Sequence, residues 1–100
     1  RSSDLVVFFD FLSLYRERCG TMVSAELVGQ VIRRFRKNRR KSQEVLSGLA
    51  GLDRTHYSKI ERGLRSPTID TLFKISQALD VPPHELIQAI EDAIQKQQDK

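Results

Sequence analysis

The sequence predicts an all-α domain built from five short helices, and three observations carry that expectation. Proline occurs only at positions 67, 82 and 83 and glycine only five times in 100 residues, so long stretches lack helix breakers. No run of β-branched residues alternates with polar ones over the length of a strand. Apolar residues instead return every three or four positions, in segments mostly opened by serine, threonine or aspartate, side chains well suited to cap a helix.

Ser24 opens the first helix, expected over residues 24–38. It places Leu27, Val28, Val31, Ile32 and Phe35 on one face and Arg33, Arg34, Arg36 and Lys37 on the other. Ser42 caps a second helix, barely two turns long, in which Val45, Leu46 and Leu49 form the apolar stripe and Gly51 supplies a left-handed ending. Asp53 caps a third that turns Tyr57 and Ile60 inward and ends at Gly63. Its outer face is Arg54, Thr55, His56, Ser58, Lys59 and Arg62. Thr68 caps a fourth whose core side is Ile69, Leu72, Phe73, Ile75 and Leu79. Pro83 suits the first turn of a fifth, which carries Leu86, Ile87, Ile90, Ala93 and Ile94, with Val81 able to staple its start. The domain is thus expected over 23–94, followed by a frayed tail, 95–100.

Residues 1–22 stand apart as an N-terminal extension holding four of the seven aromatics. Leu5, Phe8, Phe9, Leu12 and Tyr15 share one face of an additional amphipathic helix, which would dock on the domain or enlarge a dimer interface. A leader or an appended segment is the alternative, since Met22 immediately precedes the patterned region. The apolar stretch Leu5 to Tyr15 is broken by Asp10 and falls short of the roughly 20 residues that cross a bilayer. No membrane span is expected, and the absence of a signal-peptide pattern points to the cytoplasm.

Charge is unevenly spread. Residues 23–66 carry eleven Lys and Arg against Glu26, Glu44, Asp53 and Glu61, a net +7, whereas residues 67–100 carry three Lys against six acids, a net −3. A basic block of this kind suits a polyanion, because cationic side chains displace counterions from phosphates. Cys19 is the single cysteine and His56 and His84 are isolated, so neither an internal disulfide nor a metal or other cofactor is expected. No nucleophile with a base and no paired carboxylates emerge, which argues against an enzyme.

Two short helices joined by a glycine turn, the second presenting basic and polar side chains, form the arrangement that enters a DNA major groove. The stretch SQEVLSGLAGLDRTHYSKIERGLRSPTIDTLFKISQAL, residues 42–79, resembles the helix-turn-helix of the Cro and phage-repressor type, and VGQVIRRFRKNRRK resembles the helix that precedes it. Ser42-Gln43-Glu44, Gly51 and Ile60-Glu61-Arg62-Gly63 fall in the family's register together. Within the family, GLDRTHYSKIERG is most similar to the small controller proteins of restriction-modification systems. The resemblance covers roughly residues 24–90 and implies a lambda-repressor-like fold, duplex DNA as partner and a homodimer on a palindromic operator. No small-molecule effector is apparent. Two positions depart from the family's habit: Ser47 where alanine is usual, and Asp80 where glycine is common.

Position and chemistry then suggest roles. Arg54 and Thr55 on the first turn of the recognition helix, with Lys59 one turn on, are expected to read bases; Arg65 in the following loop is expected to reach the minor groove. Arg39, Arg40, Lys41, Ser42, Gln43, Ser58 and Arg62 are expected on phosphates. The resemblance implies a structural ion pair between Arg36 and Glu61. Leu86, Ile87, Ile90 and Ile94 form a wide apolar stripe, expected to make the dimer interface. The competing reading is a protein-interaction module of the same fold, an antitoxin or coactivator-like adaptor, for which the cluster Arg54, Lys59 and Arg65 would be unnecessary.

Overall fold

A computed structural model describes residues 23–98 of the chain, so the amphipathic helix expected between Leu5 and Tyr15 lies outside the described residues. Four of the five helices begin where a side-chain oxygen meets free backbone amides. In α1, Ala25–Asn38, the Ser24 hydroxyl accepts from the N–H groups of Glu26 and Leu27 at 3.1 and 3.3 Å. In α2, Gln43–Ala50, Ser42 accepts from Val45 at 3.1 Å. In α3, Arg54–Glu61, the Asp53 carboxylate accepts from Thr55 and His56. Thr68 serves α4, Ile69–Leu79, in the same way, and Pro83 opens α5, Pro83–Gln98. Each such cap contributes about 1 kcal/mol.

Left-handed residues turn the chain between helices, among them Gly63 after α3 at φ 81°. Gly51 ends α2 at φ 71°, where a side chain would be strained, and Asp80 ends α4 at φ 61°. The remaining non-glycine residue with positive φ among those described is Arg40, at 58°, in the α1–α2 loop.

Helix α1 lies against α3 and α5, α2 against α3 and α4, and α4 against α5. Ile32, Leu46, Tyr57, Ile60, Ile75, Leu79 and Leu86 are sealed in the shared core. Gly29 permits the closest approach. A Cβ there would sit 2.5 Å from the carbonyl oxygens of Ile60 and Glu61, so α1 can rest on the last turn of α3 only without a side chain at that point.

The structure corrects four expectations. The buried side of α2 is Leu46, Ser47 and Ala50, while Val45 and Leu49 are 50% and 61% exposed. Two turns of helix wedged between α3 and α4 bury their small residues, because small residues let backbones approach. On α4, Ile69 and Phe73 are likewise 67% and 53% exposed, and the core side is Leu72, Ile75, Ser76, Ala78 and Leu79. Helix α5 does not fray at Ile94 but runs on to Gln98.

The fourth correction concerns the stripe assigned to a dimer. Leu86, Ile90 and Ile94, one turn apart, are buried in the core of their own chain, where they close it beneath α1 and α4. Ile87, 45% exposed, is the member of the stripe that stands well out in solvent.

Candidate nucleic-acid interface

Helix α3 is eight residues long, and its face is decided by what it must bury. Tyr57, Ile60 and Glu61 point inward, which forces Arg54, Thr55 and Arg62 outward and leaves Ser58 and Lys59 half-exposed on the flank. Arg54 and Thr55 occupy the first turn, the end that leads into a groove when such a helix docks.

The inward Glu61 is a carboxylate in a nearly sealed site, and four donor groups satisfy it. Arg36 reaches across from α1 as a fork, its Nε on Oε2 and its Nη2 on Oε1 at 3.1 Å. The Tyr57 hydroxyl donates to Oε2 from one turn back on the same helix. From α2, Gln43 Nε2 donates to Oε1 at 2.8 Å. Arg36 also gives Nη1 to the Lys41 carbonyl at 2.8 Å, so one guanidinium ties α1, α3 and the loop between α1 and α2. Burial would raise the Glu61 carboxyl, but the hydrogen bonds from Arg36, Tyr57 and Gln43 outweigh it and hold it below the ordinary carboxylate value. The hydrogen bond to Glu61 raises Arg36, and burial, reinforced by that carboxylate, pushes the Tyr57 phenol well above its usual value.

The Arg36–Glu61 ion pair is therefore present, embedded in a larger cluster. The sequence reading placed Tyr57 in the core without its partner. Its (i, i+4) spacing to Glu61 on the inward face was the available signal. Gln43 was assigned to phosphate, yet its amide nitrogen is engaged with Glu61; only the rest of the side chain and the backbone at the start of α2 face outward. That link crosses 18 positions and leaves no local trace in the sequence.

The other assigned residues lie in the loops that flank α2 and α3. Ser42 caps α2, and Arg39 and Arg40 are exposed in the loop just before it, with Lys41 half-buried. Arg39 is partly committed, its Nη2 donating to the Asp80 carbonyl at 3.2 Å beyond the end of α4. Arg65 is exposed in the α3–α4 loop. Among the described residues no three His, Cys, Asp or Glu cluster as metal ligands, and no helix is long and apolar enough to cross a membrane.

Comparison with known proteins matches this geometry to a family. A model described as helix-turn-helix fits residues 32–86. The control protein C.BamHI of Bacillus amyloliquefaciens is 44% identical over 62 residues, spanning 61% of this chain and 76% of that protein. The restriction-modification controller C.AhdI of Aeromonas hydrophila superimposes with a TM-score of 0.60 at 39% identity, over 62% of this chain and 94% of that one. The controller C.Esp1396I, solved as a tetramer with its natural 35-base-pair operator, superimposes with a TM-score of 0.66 at 33% identity, over 70% and 92%.

Proposed function

We propose, from the premise that this chain belongs to the helix-turn-helix family of the Cro and phage-repressor type, that it is a cytoplasmic transcription regulator binding duplex DNA as a symmetric dimer. The observation that supports this best is the exposed first turn of α3, Arg54 and Thr55, on a helix whose back is fixed by Tyr57, Ile60 and Glu61. Arg54 reads guanine O6 and N7 as a bidentate fork, and Thr55 offers a methyl to thymine or a hydroxyl to another base. Lys59 follows on the same helix, and Arg65 enters the minor groove, whose negative potential deepens where it narrows.

Affinity comes largely from phosphates. Arg39, Arg40, Lys41, Ser42, Ser58 and Arg62 would line the backbone, with the amides at the start of α2 beside Gln43 supplying positive dipole ends. The protein acts by binding, without catalysis or an effector. Its relative C.Esp1396I binds its operator as a tetramer. For this chain, Ile69 and Ile87, exposed on α4 and α5, are the apolar side chains a second copy would cover. A two-fold axis there sets two recognition helices roughly 34 Å apart, one turn of a palindromic operator.

Fluorescence anisotropy with fragments of the protein's own promoter region tests the reading. Log K should fall with log salt by about 0.9 for each phosphate neutralised. Arg54→Ala should cost about 1–3 kcal/mol on the operator and little on random DNA, whereas Lys41→Ala should weaken both alike. Equal losses from Arg54→Ala on both DNAs would remove its base-reading role. Absence of salt-dependent binding altogether would favour the adaptor reading, for which the exposed Val45 and Leu49 on α2 would be the apolar contact. Sedimentation tests the dimer: Ile87→Asp should leave a folded monomer, and a wild type monomeric at tens of micromolar would refute the two-fold assembly.

A further inference from the structure

An apolar groove of about 440 Å³ opens between the α3–α4 loop, the start of α4 and the outer edge of α5. Ile69, Ile87, Ile90 and Ile94 line it. Val23, immediately after residues 1–22, lines it too. Among the lining residues the single charged group is Glu91. We propose that this groove is the docking site of the chain's own residues 5–15.

Three properties of the sequence fit that occupant. Nine of the eleven residues from Leu5 to Tyr15 are apolar, Asp10 and Ser13 being the exceptions, and such a stretch is costly to leave in water. Leu5, Phe8, Phe9 and Leu12 recur at the three- and four-residue spacing that gathers side chains on one face. Arg16 and Arg18, with Glu17 between them, give the connection from this stretch to Val23 a net positive charge, opposite in sign to the Glu91 of the groove. Reach is sufficient. The eight residues back from Val23 to Tyr15 span at most about 28 Å extended, against roughly 10 Å from Ile87 to Ile94 along α5.

Docking has a consequence that rests on the proposed dimer. Ile69 and Ile87 serve both the groove and the two-fold contact, so the segment and a second copy compete for them. A segment docked nine times in ten would weaken apparent dimerisation roughly a hundredfold, because both copies must release it.

The test uses the full chain, with Cys19→Ser and Asp10→Cys giving one thiol for a nitroxide beside the apolar face. At monomeric dilution, the methyl signals of Ile69, Ile87 and Ile94 should broaden in the labelled chain, while those of Val45 and Leu49 stay sharp. Adding Phe8→Ser and Leu12→Ser should restore the broadened signals. Uniformly sharp groove signals would overturn the proposal. So would broadening that appears only when labelled and unlabelled chains are mixed, which would assign the groove to a second copy's segment. Sedimentation of the Phe8→Ser, Leu12→Ser chain should give a dimer dissociation constant roughly a hundredfold lower than that of the parent. An unchanged constant beside an intact docking signal would overturn the competition alone. Failure to bind DNA would strike the proposed function and leave the docking result standing.

Discussion

Helices α1 to α3 and helices α4 to α5 are joined in one core but are held by different physics. In the first group a buried carboxylate collects donors from three helices, and each bond fixes an angle as well as a distance. In the second, Leu72, Ile75, Leu79, Leu86, Ile90 and Ile94 pack without a buried ion pair among the described residues; the one salt bridge there, Lys74 to Asp70, is at the surface. Directional bonds suit the proposed function, in which Arg54 would be presented at a set orientation to base edges. Non-directional apolar contact suits the proposed covering and uncovering of Ile69 and Ile87. Charge follows the same division, with the net +7 block in the first group and the net −3 block in the second.

The largest effect should come from breaking the directional half. Glu61→Ala leaves Arg36, Tyr57 and Gln43 without their acceptor, and the loss of stability should be on the order of 3 kcal/mol by urea unfolding. Replacement of a core residue such as Ile75 by Val should cost only about 1 kcal/mol, since it removes one methylene and no partner. If the two losses were equal, the contrast between the halves would fail.

Gly29→Ala comes next. Its Cβ meets carbonyl oxygens that cannot turn aside, so α1 must shift off α3, at about 1–3 kcal/mol. Because that shift also moves Arg36 relative to Glu61, operator affinity should fall further than stability alone explains.

Acid should separate the halves by pH. The Glu61 carboxyl is depressed below its ordinary value of 4.5, so its contribution is complete above that pH and disappears as pH falls through the lower folded-state value. The urea midpoint should decline below pH 4.5, and Glu61→Gln should flatten that decline. An identical slope in the variant would assign the acid sensitivity elsewhere.

The smallest effects concern the two left-handed non-glycine residues. Asp80→Gly should raise stability by about 0.5–1 kcal/mol and leave DNA binding unchanged. Arg40→Gly should give a similar gain while weakening binding to all DNA sequences, because it removes a cation from the loop proposed to meet phosphates. Equal behaviour in the anisotropy titration would show that Arg40 contributes no more to DNA than Asp80.

What could be read from the sequence was what is local. Ser24, Ser42, Asp53 and Thr68 cap helices because each sits beside the amides it satisfies, and Gly51 and Asp80 turn left-handed for reasons confined to one residue. What could not be read was which neighbour an apolar side chain meets. Val45 and Leu49 look like a buried stripe until α2 is seen to meet α4 through Leu46, Ser47 and Ala50. Leu86, Ile90 and Ile94 looked surplus to the domain because the depth to which α5 fills the core depends on α1 and α4 together. Gln43 was placed at the right edge of the fold, but its bond to Glu61 required the tertiary structure.

The Tyr57 hydroxyl has a use beyond holding Glu61. The chain contains no tryptophan, and Tyr57 is the tyrosine of the described residues, fully buried in the fold. Its phenol donates to a carboxylate and keeps its proton above the usual tyrosine range. At alkaline pH the native protein should therefore absorb less in the phenolate band than the unfolded chain does. That absorbance gap would be an optical gauge of whether α1, α2 and α3 are still locked together, available without any label.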